Sequence, residues 1–465
     1  MSQPTGEHVD HPRESGAAPV ASSQEGMLWH EQFAPGSFNL PPLVRRYQGH
    51  LDVKALRRSL SDIVRRHPPL RTTFEVVDGQ PIQRVGSLEP LPLPVGELTG
   101  LNPSTQQAEV RRLVEDAARR PFDLARGPLF EPRLLRLGED DHVLLIRLHH
   151  LVFDDWSVDV FRRELSALYA AHLAGKPPEL PELRVGFAEF CRRQHRARSG
   201  PAATLELSWW RHQLEGAPFT VPLPIGDPER PEGSPHDAVQ PLRVALSPAL
   251  TQQLRALAAS ERTTLFMALL AVFSVLVQRS TAQDDLLLAS VVANRNAREL
   301  EPLIACFTKK ILLRMDLSED PTFCEVMRRA REAVLGALAH QDLPYETVVQ
   351  ELLGGAAAAH GLVPDVSVMF QAEAPQKETL HLPGLTVGPF DSGTSTTQPH
   401  FAAGEAEADG DVPVWGAGLY RGTFLILSVL ETADDVSLVA RGVFHPPAVE
   451  QLLARFGELL AEVVA

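Results

Sequence analysis

Residues 142–157 constrain this chain of 465 residues more than any other stretch. They read His-Val-Leu-Leu-Ile-Arg-Leu-His-His-Leu-Val-Phe-Asp-Asp-Trp-Ser: an apolar strand ending in two adjacent histidines, then three apolar residues, two acids and the start of a helix. Successive strand residues point to opposite faces, so His149 and His150 cannot converge on one metal ion without a break in the strand. Metal chelation is therefore disfavoured. One imidazole can instead face a cleft and the other the core, with Asp154 curling back to orient an imidazole or its surroundings. An imidazole near its ordinary pKa of roughly 6.5 can take a proton at neutral pH, which suits a general base. The same residues also read as two satisfied histidines at a strand end followed by a turn or cap aspartate.

The segments around this stretch repeat one grammar. Leu51, Leu56, Leu60, Ile63 and Val64 recur at helical spacing until Pro68 and Pro69, and residues 72–77, an Asp78-Gly79 turn and residues 81–85 follow as a hairpin. A helix near 105–119, a turn at Pro121-Phe122-Asp123 and strands near 129–137 and 142–150 form a second unit; a helix capped by Ser157 then runs to Gly175. The Pro-rich stretch 175–184 reads as a linker. Beyond it the pattern predicts strands near 241–246, 286–292, 311–315, 366–371 and 423–440, with helices over 248–279, 322–339 and from Pro447 onward. This order predicts an α/β chain of two-layer α+β type, with two lobes of comparable design over 21–178 and 179–465. Residues 1–20, rich in Ser, Pro, Gly, Glu and His, read as a disordered leader, and 372–418 as a long surface excursion.

Composition removes several function classes. Forty-four Lys and Arg against 59 Asp and Glu leave a formal charge of −15, so the chain repels phosphate backbones and anionic lipid except at a local basic patch. Neither nucleic acid nor membrane is an expected partner. Lysine occurs only at 54, 176, 309, 310 and 377, and two of these are adjacent. Cys191, Cys306 and Cys324 are too few and too scattered for a disulfide framework, which fits a reducing cytoplasm. The longest apolar run, 265–277, falls short of the roughly 18 residues of a membrane span and reads as a buried helix. The N-terminal residues show no apolar run behind a basic start, so secretion is not expected and a cytoplasmic monomer is. No GxSxG, GxGxxG or GxxxxGK[ST] occurs, so hydrolase, dinucleotide and P-loop readings have no support.

The histidine segment gains meaning from its company. His149-His150-Leu151-Val152-Phe153-Asp154-Asp155 resembles the HHxxxDG signature of the condensation domains of nonribosomal peptide synthetases, relatives of chloramphenicol acetyltransferase, with Asp155 where that family has glycine. Gln24-Glu25-Gly26-Met27-Leu28-Trp29-His30 resembles the family's QEGMLFH, and His67-Pro68-Pro69-Leu70-Arg71-Thr72-Thr73-Phe74 its RHExLRTxF. Phe187-Ala188-Glu189-Phe190 is similar to YADYA, and Trp210-Arg211-His212-Gln213-Leu214 to YWxxxL. Val292-Ala293-Asn294-Arg295 and His340-Gln341-Asp342-Leu343-Pro344-Tyr345-Glu346 match VANR and HQDxPFE. The segments run in family order, and jointly they are specific.

The resemblance implies two chloramphenicol acetyltransferase-like lobes forming a V with a central tunnel. Two phosphopantetheine arms, each on a carrier protein, would enter from opposite faces as substrates and meet at His150, with no bound cofactor and no metal. The donor would offer an acyl or aminoacyl thioester and the acceptor an amine or a hydroxyl, giving an amide or an ester. His149 and Asp154 accompany His150. Asp154 is implied to be structural, salt-bridged to an arginine, for which Arg314 in Ile311-Leu312-Leu313-Arg314 is the candidate. Trp156, Ser157 and Arg295 are expected along the tunnel. Two departures stand out: Asp155, and Lys309-Lys310 in a segment where the family pattern resembles IGFFVNT. Either lysine could pair with Asp155 or hold an acidic substrate group. The motifs leave no room for a carrier or adenylation domain, so a free-standing protein or an excised one is expected, meeting its donor and acceptor carriers in trans. A small-molecule acceptor, and an inactive platform recruiting a carrier or a tailoring oxygenase, are the alternatives.

Overall fold

The computed structural model describes residues 16–32, 34–198, 200–226, 241–353, 367–373, 379–390, 424–432 and 435–464. The first part of the chain forms β1 (Ala17–Pro19), α1 (Ser22–Glu31), β2 (Asn39–Gln48), α2 (Val53–Arg66), β3 (Thr72–Val77), β4 (Gln80–Val85) and β5 (Val95–Glu97). It continues through α3 (Pro103–Arg119), β6 (Phe130–Gly138), β7 (Asp141–His149), α4 (Asp155–Ala174), α5 (Phe187–Ala197) and α6 (Pro201–Gln213). The second part forms β8 (Leu242–Ala245), α7 (Pro248–Ser260), α8 (Leu265–Thr281), β9 (Asp285–Val292), β10 (Lys309–Asp316), α9 (Phe323–Ala339) and α10 (Tyr345–Leu353). It ends with β11 (Val368–Ala372), β12 (Thr386–Gly388), β13 (Phe424–Glu431), β14 (Val436–Val443) and α11 (Pro446–Val464).

Two large mixed sheets organise the chain, in the orders β12-β2-β7-β6-β5 and β10-β9-β11-β13-β14-β8, with a small β1-β4-β3 sheet beside the first. Strand β7 is central and buried from His142 onward. Its alternate residues serve two cores: Leu144, Ile146 and Leu148 meet Leu56 and Leu60 of α2 and Leu165 of α4, while Val143 and Leu145 meet Val110 and Leu113 of α3. Each such side chain contributes about 1.5–3 kcal/mol on burial, so the strand is held from both sides and its C-terminal end is fixed in register. In the second core, Ala268 to Phe273 of α8 are fully buried against Leu286 to Ala289 of β9 and Phe370 of β11. Among the described residues no single helix is long and apolar enough to cross a membrane, and α7 and α8, which are so only when joined, are bent by 101°.

Three expectations need correction. The leader is ordered before residue 21, because Ala17 to Pro19 pair with β4 and Val20 is buried; residues 1–15 lie outside the described residues. The excursion over 372–418 is not all surface. Strand β12 hydrogen-bonds to β2 across the first sheet, and Leu380 and Leu382 enter the core beneath it, so apolar residues inside a Gly- and Pro-rich stretch are structural; residues 391–418 lie outside the described residues. Helix α4 is capped by Asp154 rather than by Ser157, since the Asp154 carboxylate takes the Ser157 N–H at 2.9 Å.

Candidate active site

Strand β7 ends at His149, and the turn that follows carries His150 into a different environment. His149 is fully buried: Nδ1 accepts the Leu151 N–H at 3.1 Å, and Nε2 lies 3.4 Å from Glu31. Burial raises the Glu31 pKa, but His149 and the N–H groups of Gly36 and Phe38, at 2.7 and 2.8 Å, outweigh it and hold the carboxyl below its usual value. His150 begins a one-turn 3-10 helix and is partly exposed. Its Nδ1 lies 2.7 Å from the Phe153 carbonyl, which can only accept. Nδ1 therefore carries the proton, and the lone pair is on Nε2. Burial pushes the His150 pKa down to about 4, against the Phe153 carbonyl and Asp154, which pull it up. At neutral pH the imidazole is uncharged. The buried Cys306 thiol sits 3.9 Å from His150 Nδ1 and 3.7 Å from Thr308 Oγ1, and burial keeps it protonated. Gln24 of α1 braces the same turn, donating to the Leu151 carbonyl at 2.6 Å.

Asp154 ties this turn to the second sheet. Its Oδ1 accepts from the Ser157 hydroxyl at 2.6 Å, Arg295 Nη2 lies 2.9 and 3.1 Å from its two oxygens, and Oδ2 takes the Phe307 N–H at 3.0 Å. The other Arg295 terminal nitrogen donates to the carbonyls of Leu300 and Leu303, at 2.7 and 2.9 Å, and the guanidinium lies 4.3 Å from the Phe307 ring centroid. Ser157 Oγ accepts the Ala305 N–H at 3.2 Å, and the Trp156 indole donates to the Glu301 carbonyl at 2.9 Å. A second tie lies behind it: the Ile304 N–H donates to His67 Nδ1 at 3.2 Å, and His67 Nε2 is 2.8 Å from Glu164, which Arg66 also reaches at 2.9 Å. Burial lowers the His67 pKa, so the ring is neutral and donates through Nε2 to the carboxylate. The 295–307 segment is thus fastened to the turn that presents His150.

The structure gathers His149, His150, Asp154, Trp156, Ser157 and Arg295, and it separates others. Arg314 is not the partner of Asp154. It lies five residues along β10 from Lys309, roughly 17 Å at strand spacing, where it forks onto Asp285 at 2.7 and 3.0 Å and reaches the carbonyls of Gln213 and Glu215. The partner is Arg295, whose loop position after β9 brings it to the start of α4. Lys309 does not pair with Asp155 either: its ammonium donates to the Gln341 carbonyl, and burial pushes its pKa down to about 8 against the pull of Asp342 and Glu206. Lys310, on the opposite strand face, lies 5.5 Å over the Tyr345 ring. The half-buried Asp155 instead faces Glu373 and Arg441. Burial pushes its pKa up to about 8, helped by Glu373 and Asp154 and opposed by Arg441. Arg441 pairs with Glu373 and donates to Ser428 Oγ at 3.0 Å. No group of three or more potential metal ligands occurs among the described residues. Nothing in the local sequence pointed to Glu373 or Arg441, whereas Gln24 and Cys306 lie within motif-like segments.

Comparison with known proteins identifies the family. The Condensation domain family model matches residues 14–400. Chondramide synthase cmdD of Chondromyces crocatus is 38% identical over 403 residues, covering 85% of this chain and 10% of that protein. Phosphinothricin tripeptide synthetase PhsB of Streptomyces viridochromogenes is 36% identical over 374 residues, covering 80% of this chain and 31% of that protein. The chain thus spans less than a third of the length of either relative. Among solved structures, the complex of the X-domain and OxyB from teicoplanin biosynthesis superposes with a TM-score of 0.76 at 25% identity, covering all of this chain and 96% of the other. With its two acetyltransferase-like lobes and its His-His-x-x-x-Asp turn, the chain belongs to the condensation-domain family.

Proposed function

We propose that this chain transfers an acyl or aminoacyl group from a carrier-bound thioester to an amine, forming an amide, or to a hydroxyl, forming an ester. The observation that carries the reading is the His150 hydrogen bond to the Phe153 carbonyl, which directs the Nε2 lone pair away from the turn. In the reaction the acceptor nitrogen or oxygen bonds to the thioester carbon and the carbon–sulfur bond breaks. The acceptor's proton passes to His150 Nε2 and from there to the departing thiolate. An imidazole held near 4 is a weak base, so its part is to line up the nucleophile through the lone pair and to take the proton once bond formation has made it acidic. Two phosphopantetheine arms meeting in a tunnel would make an otherwise bimolecular attack effectively unimolecular, a gain of several kcal/mol. Asp154, Ser157, Trp156 and Arg295 hold the turn, and His149 holds it from beneath. Donor and acceptor carriers would be partners in trans.

The test incubates the protein with an acyl-loaded carrier and carrier-bound or soluble amines and follows product by intact mass. Product that disappears in His150→Ala while the fold survives is the expected result. A second reading has a specific observation in its favour. Asp155 places a second carboxyl beside the turn, and the X-domain relative is known in a complex with OxyB. On that reading the chain is an inactive platform that recruits a carrier or a tailoring oxygenase, and wild type yields no product with any acceptor.

A further inference from the structure

Helix α2 carries a cationic stripe that the proposed chemistry does not use. Its inner face consists of Ala55, Leu56, Ser59, Leu60, Ile63 and Val64, all buried, and Lys54, Arg57, Arg58 and Arg65 stand exposed on the other side. Arg65 pairs with Asp62, and Asp62 also meets His172 at 2.7 Å. No ion pair to Lys54, Arg57 or Arg58 is found among the described residues. Helix stability does not account for these residues. Lys54 lies in the first turn, where the positive end of the helix dipole disfavours cations, and it repels Arg57 and Arg58 at the neighbouring i+3 and i+4 positions. In a chain of net charge −15 they gather positive charge on one exposed helix face.

We propose that the exposed face of α2 formed by Lys54, Arg57, Arg58 and Arg65 is the docking surface for an acidic carrier protein. The inference rests on the carrier-dependent acyl-transfer reading. The stripe is roughly 16 Å long at the helical rise, and charges beyond about 8 Å are largely screened at physiological salt, so a small acidic domain meets the stripe alone. A nucleic acid or an anionic membrane is longer than the stripe, and the chain as a whole, at −15, repels both. The helix also has no aromatic side chain on which bases could stack. Position supports the assignment. The last residue of α2 and its successor, Arg66 and His67, hold Glu164 and the Ile304 N–H, two residues before the Cys306 that touches His150.

The experiment titrates the full chain into a labelled acidic carrier domain loaded with phosphopantetheine, using anisotropy over a range of salt. Wild type is compared with K54Q/R57Q/R58Q and K54E/R57E/R58E. Charge reversal is expected to weaken binding about tenfold or more, neutralisation by less, and both to flatten the salt dependence. Should the reversal variant unfold, the neutralised variant carries the test. Turnover of a soluble acyl thioester bearing no carrier stays within about twofold of wild type in both, because the stripe does not touch the reacting atoms. Unchanged carrier affinity in both variants overturns the proposal, as does tighter binding of a single-stranded oligonucleotide or a phosphatidylserine vesicle than of the carrier. Failure of wild type to turn over any thioester counts against the acyl-transfer reading and leaves the binding result standing.

Discussion

Replacing Arg295 by Gln removes the cation from a buried pair. Its side chain is 2% exposed and that of Asp154 is 0% exposed, so neither group recovers water when the other is lost. Losing one partner of such a pair costs about 3–5 kcal/mol. Asp154 keeps the Ser157 and Phe307 donors, which places the cost near the lower end. The carbonyls of Leu300 and Leu303 lose a charged donor as well, worth about 1 kcal/mol each. A total of about 5 kcal/mol follows, and urea denaturation followed by tryptophan fluorescence measures it, because Trp156 reports on the 295–307 segment through its bond to Glu301. Asp154→Asn alone is expected to be similarly costly, and the double variant less costly than the sum by about 1.5–3 kcal/mol. Acyl transfer falls with the same changes, because the segment that packs Cys306 against His150 is released. An Arg295→Gln cost under about 1 kcal/mol, or additivity within about 0.5 kcal/mol in the double variant, refutes the tie between the two sheets.

Other expectations follow from the same geometry. Asp155→Asn is expected to raise stability at pH 7 by about 1–4 kcal/mol, because a native carboxyl held near 8 takes up a proton that the unfolded one, near 3.8, has released. Since the folded value is the higher, wild type loses stability as pH rises from about 4 to 8, and the urea midpoints of the two proteins converge near pH 4; a gain independent of pH contradicts the assignment. The acidic limb of transfer activity due to His150 should lie near pH 4, and a limb at roughly 6.5 shows an imidazole in an ordinary solvated setting. Leu382→Ala is expected to cost about 2–5 kcal/mol in the transition of the first core, measured by urea denaturation, although the residue is distant in sequence from that sheet. A cost below about 1 kcal/mol speaks against the β12 return, on the usual scale for buried leucines.

What could be read from the sequence followed the range over which each interaction acts. The apolar runs of β7 and α8 and the amphipathic pattern of α2 are local, and each element appears where the sequence places it. The different settings of His149 and His150 were expected from the two-residue period of a strand, but β7 ends at His149 and the separation comes from the 3-10 turn that begins at His150. Pairings across long separations were not legible. Arg314 and Arg295 both follow apolar strand residues, and only the register of β9 against β10 shows that Arg314 points back along its own hairpin to Asp285. The return of β12 to β2 spans more than 300 residues and has no local signature; its apolar positions, Leu380 and Leu382, are embedded in a composition typical of loops. The setting of Asp155 depends on Glu373 and Arg441, which arrive from the end of β11 and from β14, so its raised pKa could not be inferred from the neighbouring Asp154 alone.

The central claim is that His150 handles the proton of the attacking acceptor. Its most direct test is the single-turnover rate of acyl transfer from a loaded carrier to an amine, measured for wild type and His150→Ala at equal occupancy. Removal of a positioned base or acceptor is expected to slow the reaction by about 10²–10⁴-fold while leaving the urea midpoint close to wild type. A rate in the alanine variant within about threefold of wild type contradicts the assignment.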